Sequence, residues 1–223
     1  MGNKVSIWLL VSLLSVSWGA RPLSTDDAGT VAFGEFETET GGDFISKDNH
    51  FQSLGFTFKH GLTNHMDIGI SFPYEMSPEY GLGSAEVSMK YALLKQQKLI
   101  PAFSSSFTFL PGGTEYVLNG ILSDDFNLFT THVNFGYCAI GHAGKSGNLI
   151  YGMAFEFPVS SLNLVSEIYS EGELSNMEWI AGCNLELFEG FSFDFAGGST
   201  VKSPVTAKVT MGITYGFKGF SFN

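Results

Sequence analysis

The stretch VTAKVTMGITYGF, Val205–Phe217, decides the fold. It puts Val205, Ala207, Val209, Met211, Ile213, Tyr215 and Phe217 on one side and Thr206, Lys208, Thr210, Gly212, Thr214 and Gly216 on the other. Faultless alternation of this length is the signature of a β-strand with one apolar and one polar face, because successive side chains of a strand point to opposite sides. The pattern recurs upstream. In NLIYGMAFEF, Leu149, Tyr151, Met153, Phe155 and Phe157 oppose Asn148, Gly152, Ala154 and Glu156. In HMDIGISFPY, Met66, Ile68, Ile70, Phe72 and Tyr74 oppose His65, Asp67, Gly69 and Ser71.

Twelve segments read as strands: 29–40, 51–60, 64–76, 82–93, 98–110, 114–124, 126–139, 147–158, 161–171, 176–187, 190–200 and 205–217. Around Val87 the sequence also fits a helix face through Tyr91 and Leu94. The strand is preferred because Ala85, Val87, Met89, Tyr91 and Leu93 alternate with Ser84, Glu86, Ser88 and Lys90. The sixth segment, TEYVLNGILSD, is the most poorly patterned.

The chain has 223 residues, 27 glycines and 22 phenylalanines, a length that suits one domain. It begins MGNKVSIWLLVSLLSVSWGA. A single Lys4 precedes an uncharged run from Val5 to Val16, followed by the small residues Ser17 and Gly19. That is the layout of a secretory signal peptide over residues 1–19, with cleavage after Gly19 or Ala20, leaving 20–223 as the folded domain. The apolar run is shorter than the roughly 18 residues of a membrane-spanning helix. Without the leader, 10 basic residues face 22 acidic ones. Phosphate binding needs a basic face, so no nucleic-acid partner is expected.

Connections alternate in character. GLTN, KQQ, SDD, PVSS and FEG are short, whereas GGDFISKDNH, SPEYGLG, GHAGKSG, SEGELS and STVKSP are longer or more polar. Short turns on one rim and long loops on the other are the habit of transmembrane barrels, whose short turns are periplasmic. An open sheet cannot cross lipid, since its edge amides and carbonyls would go unsatisfied. The expected fold is therefore all-β: a transmembrane, antiparallel, up-and-down β-barrel of about 12 strands. A soluble sandwich also alternates, but it leaves unexplained a polar face rich in Gly, Ala, Ser and Thr opposite a face of large apolar residues. A confined interior needs those small residues.

RPLSTDDAGTVAFGEFETETG, GLTNHMDIGISFPY, GSAEVSMKYALL, LNLVSEIYSE and KVTMGITYGF together resemble, in their order along the chain, the bacterial outer-membrane barrel family assigned to transport in the meta-pathway of phenol degradation. The resemblance implies a Gram-negative outer membrane and passage of small molecules, apolar or aromatic ones among them. It implies no catalytic residues.

Other motifs carry less. AIGHAGKS, Ala139–Ser146, meets a relaxed phosphate-loop pattern, but a strand follows it where a phosphate loop opens a helix. Cys138 and Cys183 fall on non-adjacent strands and opposite faces, beyond disulfide reach, so two free thiols are expected. The histidines, at 50, 60, 65, 132 and 142, show no metal-ligand spacing. Some twelve-stranded outer-membrane barrels are lipases. His132 has Thr130 and Ser104 nearby but points inward, and no nucleophile, base and orienting group are nominated together. No enzyme, cofactor or metal is expected.

The polar faces assign a lumen lined by Glu35, Glu37, Lys59, Asp67, Glu86, Lys90, His132, Glu156, Glu167, Glu178, Glu186, Asp194 and Lys208. Acids dominate, and acidic interiors favour cations. The expected function is an outer-membrane channel or transporter for passive passage of small molecules or ions. The alternative is a structural or surface-interaction barrel with a filled lumen and working outer loops. Outer-membrane lipid and the barrel assembly machinery are the implied partners. Finally, FEGFSFD at Phe188–Asp194 returns as FKGFSFN at Phe217–Asn223. The second copy leaves too few residues to cross a membrane, so it is read as a periplasmic stub beyond a last strand that closes the barrel on the first.

Overall fold

Alternation dictates strands, and strands whose backbone must be fully paired close on themselves. The computed structural model describes residues 21–45, 50–76, 80–95, 97–111, 113–141, 147–172, 177–202 and 206–219. The signal-peptide reading, the phosphate-loop residues 142–146 and the stub at 220–223 lie outside them.

Twelve long strands form the wall: β1 (Glu35–Ile45), β2 (His50–Gly61), β3 (Met66–Glu75), β5 (Glu86–Ala92), β6 (Leu99–Leu110), β7 (Gly113–Asp125), β8 (Thr130–Ile140), β9 (Asn148–Val159), β10 (Leu162–Glu171), β11 (Glu178–Phe188), β12 (Phe191–Thr200) and β13 (Ala207–Lys218). β4 (Gly81–Leu82) is a two-residue pairing on the far end of β3. Long strands pair with their sequence neighbours, antiparallel throughout. β13 then pairs with β1 from Glu35↔Lys218 to Ile45↔Lys208, which closes the sheet. The closure predicted for the last and first strands is what the register shows. The poorly patterned sixth segment is also a full strand, β7, and the helix-compatible segment is the strand β5.

The first strand is corrected. It was expected at 29–40 and runs instead over Glu35–Ile45, taking in the start of the predicted loop GGDFISKDNH. His65 lies in the β2–β3 turn rather than on a strand face, its Nδ1 3.0 Å from the Ala92 carbonyl.

The apolar faces point outward. Phe107, Leu118, Phe135, Met153, Ile168, Trp179, Phe195 and Ile213 are exposed, while Asp67, Asn134, Glu167, Asp194 and Thr210 are buried. That inversion rules out the sandwich, which hides its apolar face and shows its charges. Strands of 10–13 residues, with the 7-residue β5 the exception, at about 3.3 Å per residue and tilted as in barrels, match an apolar band of roughly 25 Å. Cys138 and Cys183 are free thiols.

Candidate functional site

The inside of the barrel is occupied by the chain itself. Residues 21–33, which contain no strand of the wall, run within the lumen and leave it at the short-turn rim. There Phe33 bridges Gly61, and the Gly34 N–H bonds the Gly61 carbonyl at 2.9 Å. Gly34, at φ 77°, reverses the chain into β1, a conformation that glycine adopts without the Cβ clash.

Wall side chains hold this inner segment by its backbone. Glu167 on β10 accepts the Ser24 N–H at 2.8 Å and the Thr25 N–H at 2.7 Å. Asn134 on β8 accepts the Asp26 N–H and donates to the Asp26 carbonyl, each at 2.7 Å, and Asn119 on β7 braces Asn134 at 2.9 Å. Ser123 accepts the Ala28 N–H at 2.9 Å, and Asp67 accepts the Val31 N–H at 2.8 Å. A segment without regular structure has no ladder for its amides, so buried side chains must supply the acceptors. Lys90 reaches from β5 to Asp26 Oδ1 at 2.6 Å and the Asp27 carbonyl at 3.0 Å. Leu23 packs on Ala154 and Val165, and Ala28 on Ala92, Ala102 and Ile121. Small wall residues make the room: a Cβ on Gly152 would overlap Thr25.

Other interior charges pair across strands. Lys59 bonds Glu37 at 3.1 Å and Glu39 at 2.6 Å, and Lys208 stands 3.4 Å from Asp43. His132, assigned to the lumen lining, is buried. Its Nδ1 lies 2.7 Å from Ser123 Oγ and its Nε2 3.5 Å from Glu156 Oε1; Asn163 donates to the other Glu156 oxygen at 2.8 Å. Serine, histidine and carboxylate thus stand in the order of a hydrolytic relay, but Ser123 Oγ is spent on the Ala28 amide and lies beneath the inner segment. The relay is a clamp. Glu35, Glu86, Glu178 and Glu186 share the inward phase of their strands through the pairs Glu35↔Lys218, Glu86↔Thr108, Glu178↔Tyr169 and Glu186↔Ser192.

Sequence reading passed over Arg21, Asp26, Asp27, Glu39, Asp43 and Glu115. The one signal was a shift of phase. Val31 and Phe33 are apolar at odd positions and Phe36 at an even one, with Gly34 between. A phase break at glycine marks a turn, not a continuous strand.

A cavity of about 300 Å³ remains beside the inner segment. Glu39, Thr57, Lys59, Asp67, Ser71, Glu86, Ser88, Lys90, Ser104 and Ser106 line it. Asn119 and Asn134 add amides, and Met89, Val117, Ile150 and Tyr169 an apolar share; the predominantly polar lining suits water, ions and hydrogen-bonding solutes.

A closed, antiparallel, twelve-stranded wall with its apolar side outward and a polar, partly occupied bore is now in place. The fold is that of the outer-membrane porins. The chain is similar to the KdgM porin in complex with disordered oligogalacturonate, at TM-score 0.68 and 8% identity, over 81% of this chain and 99% of that one. It is similar to the COG4313 outer membrane channel from Pseudomonas putida F1, at TM-score 0.60 and 9% identity, over 86% and 98%. The NanC porin also aligns at TM-score 0.60, with 11% identity over 80% and 98%. No family model and no curated protein matches the sequence. Identities this low carry the architecture and leave function to the site.

Proposed function

We propose that this protein is a bacterial outer-membrane channel for passive passage of small polar solutes and cations, narrowed by its own amino-terminal segment. Residues 1–19 serve as the export signal, the barrel assembly machinery inserts the domain, and the exposed phenylalanine-rich faces meet lipid. The short-turn rim is periplasmic on this reading, so the inner segment enters the bore from the periplasmic side.

The observation that carries the proposal is the polar cavity beside the inner segment. Its serine, threonine and charged lining favours a hydrated permeant over the apolar or aromatic molecules that the family resemblance implies. Toward the long-loop mouth Glu86, Glu115, Glu171 and Glu178 stand on inward phases, and among the described residues no ion pair joins them to a cation. Fixed acids along a bore raise the local cation concentration. The same charge disfavours polyanions of the kind named with the KdgM porin. Reversal potentials in planar bilayers under a potassium chloride gradient test this: cation preference is expected, weakened by Glu86→Gln and Glu115→Gln together. Anion preference would overturn it.

The filled, structural barrel is the second reading, favoured by the density of bonds to residues 21–33. Removal of that segment separates the two.

A further inference from the structure

Arg21 sits in a recess of the wall formed where β12, β13 and β1 meet. Its Nη2 donates to Thr210 Oγ1 at 2.8 Å and to the Met211 carbonyl at 3.2 Å. The floor is bare backbone. Gly41 and Gly212 are register partners across β1 and β13; a Cβ on Gly41 would overlap the guanidinium, and one on Gly212 would lie 2.6 Å from Nε. Asp194 on β12 pairs with Gly212 and supplies the charge, its side chain only 1% exposed. A flat floor, a carbonyl and hydroxyl at one edge and a carboxylate at the other match the planar fork of a guanidinium.

Arg21 uses that carboxylate incompletely. Its Nε stands 3.5 Å from Asp194 Oδ1, and among the described residues neither carboxylate oxygen has a hydrogen-bond partner. Guanidinium and carboxylate ordinarily meet through two short, parallel N–H···O bonds of 2.7–2.9 Å, and a buried carboxylate without donors is costly. The tether explains the shortfall: three residues on, the Ser24 amide is fixed to Glu167. An unattached guanidinium has no such restraint.

We propose that the Gly41–Gly212–Asp194 recess is a guanidinium-binding site, filled here by the chain's own Arg21 as a tethered ligand, and that small solutes bearing a guanidinium group bind there in its place. A compact ammonium ion is the poorer ligand, since it cannot lie flat on the glycine floor or fork onto Asp194. In the intact protein the tether gives Arg21 an effective concentration in the millimolar range or above, so a free solute must compete with it.

Calorimetry on the mature chain folded in detergent micelles tests this, with methylguanidinium as probe and methylammonium as comparison. Arg21→Ala empties the recess while the bonds to Glu167, Asn134, Ser123 and Asp67 still seat the segment. This variant is expected to bind methylguanidinium at least about tenfold more tightly than the unaltered chain does, and about tenfold more tightly than methylammonium, the factor one charge-assisted hydrogen bond supplies. Adding Asp194→Asn, or Gly41→Val to fill the floor, abolishes the binding. Heat-modifiable gel mobility identifies which variants are folded barrels. An Arg21→Ala barrel, folded by that criterion, that binds no better than the unaltered chain overturns the proposal, as does binding that survives both added substitutions. Micelle calorimetry reads the recess whether or not the barrel conducts, so the outcome is separable from the channel reading.

Discussion

Glu167 shows how an interior acid acquires a use that its charge alone does not reveal. Its carboxylate, 3% exposed, takes the amides of Ser24 and Thr25, and among the described residues neither amide has another acceptor. Glu167→Ala leaves those two buried N–H groups unsatisfied at about 1–3 kcal/mol each. The expected result is faster amide hydrogen exchange at Ser24 and Thr25, with barrel mobility on gels unchanged; unaltered exchange would mean that Glu167 is not an anchor. The outer face behaves differently. Met153 and Met211 are exposed to what is read as lipid, and lysine there costs about 2–4 kcal/mol if the residue lies near the membrane midplane. The facing interior positions are poor controls, because Gly152 lies against Thr25 and Thr210 holds Arg21. Ser106, which lines the open cavity and stands across from Ser88, one inward position from the Glu86↔Thr108 pair, is the site where lysine is expected to be tolerated. Urea unfolding of Met153→Lys, Met211→Lys and Ser106→Lys checks the ranking.

Among the elements, β9 and β13 were legible in sequence almost to the residue, because one face is wholly apolar in both and only Ile150 of β9 breaks the polar phase opposite. β1 was not. GTVAFGEFETE alternates well enough to pass for one strand, yet its apolar phase slips at Gly34, and everything before the slip is held in the bore by polar contacts that leave no periodic trace. A segment bound through its backbone can carry almost any side chains, so composition and period are silent about it. What the sequence did register was the space it needs: the glycines and alanines of the polar faces. Gly61 is one such position. A Cβ there would overlap the Ala32 carbonyl, where the inner segment leaves the bore. Gly61→Ala is therefore expected to loosen the root of the segment, seen as faster exchange at Val31, while the β2–β3 ladder keeps its protection. Equal loss of protection in both would place the defect in the wall instead.

For the whole molecule, the closed ladder makes the inner segment a removable obstruction and not part of what holds the barrel up. The wall closes through β1 and β13 without any residue before Glu35, and the ladder runs the length of both strands. Backbone pairing in the wall is thus complete in its absence. Deleting residues 21–31 should therefore leave a folded, heat-modifiable barrel and raise single-channel conductance. The effect on selectivity has a definite sign. The deleted stretch carries Arg21 against Asp26 and Asp27, a net negative charge, so its loss makes the bore less acidic by one. It also frees Lys90 from both aspartates and widens the path toward the Debye length of about 8–10 Å, over which wall charges are felt. Cation preference should persist, because Glu86, Glu115, Glu171 and Glu178 belong to the wall, but it should be weaker than in the intact chain. A deletion variant that no longer forms a barrel would instead make the segment the core of a filled, structural protein, and a variant that folds without any gain in conductance would place the constriction elsewhere.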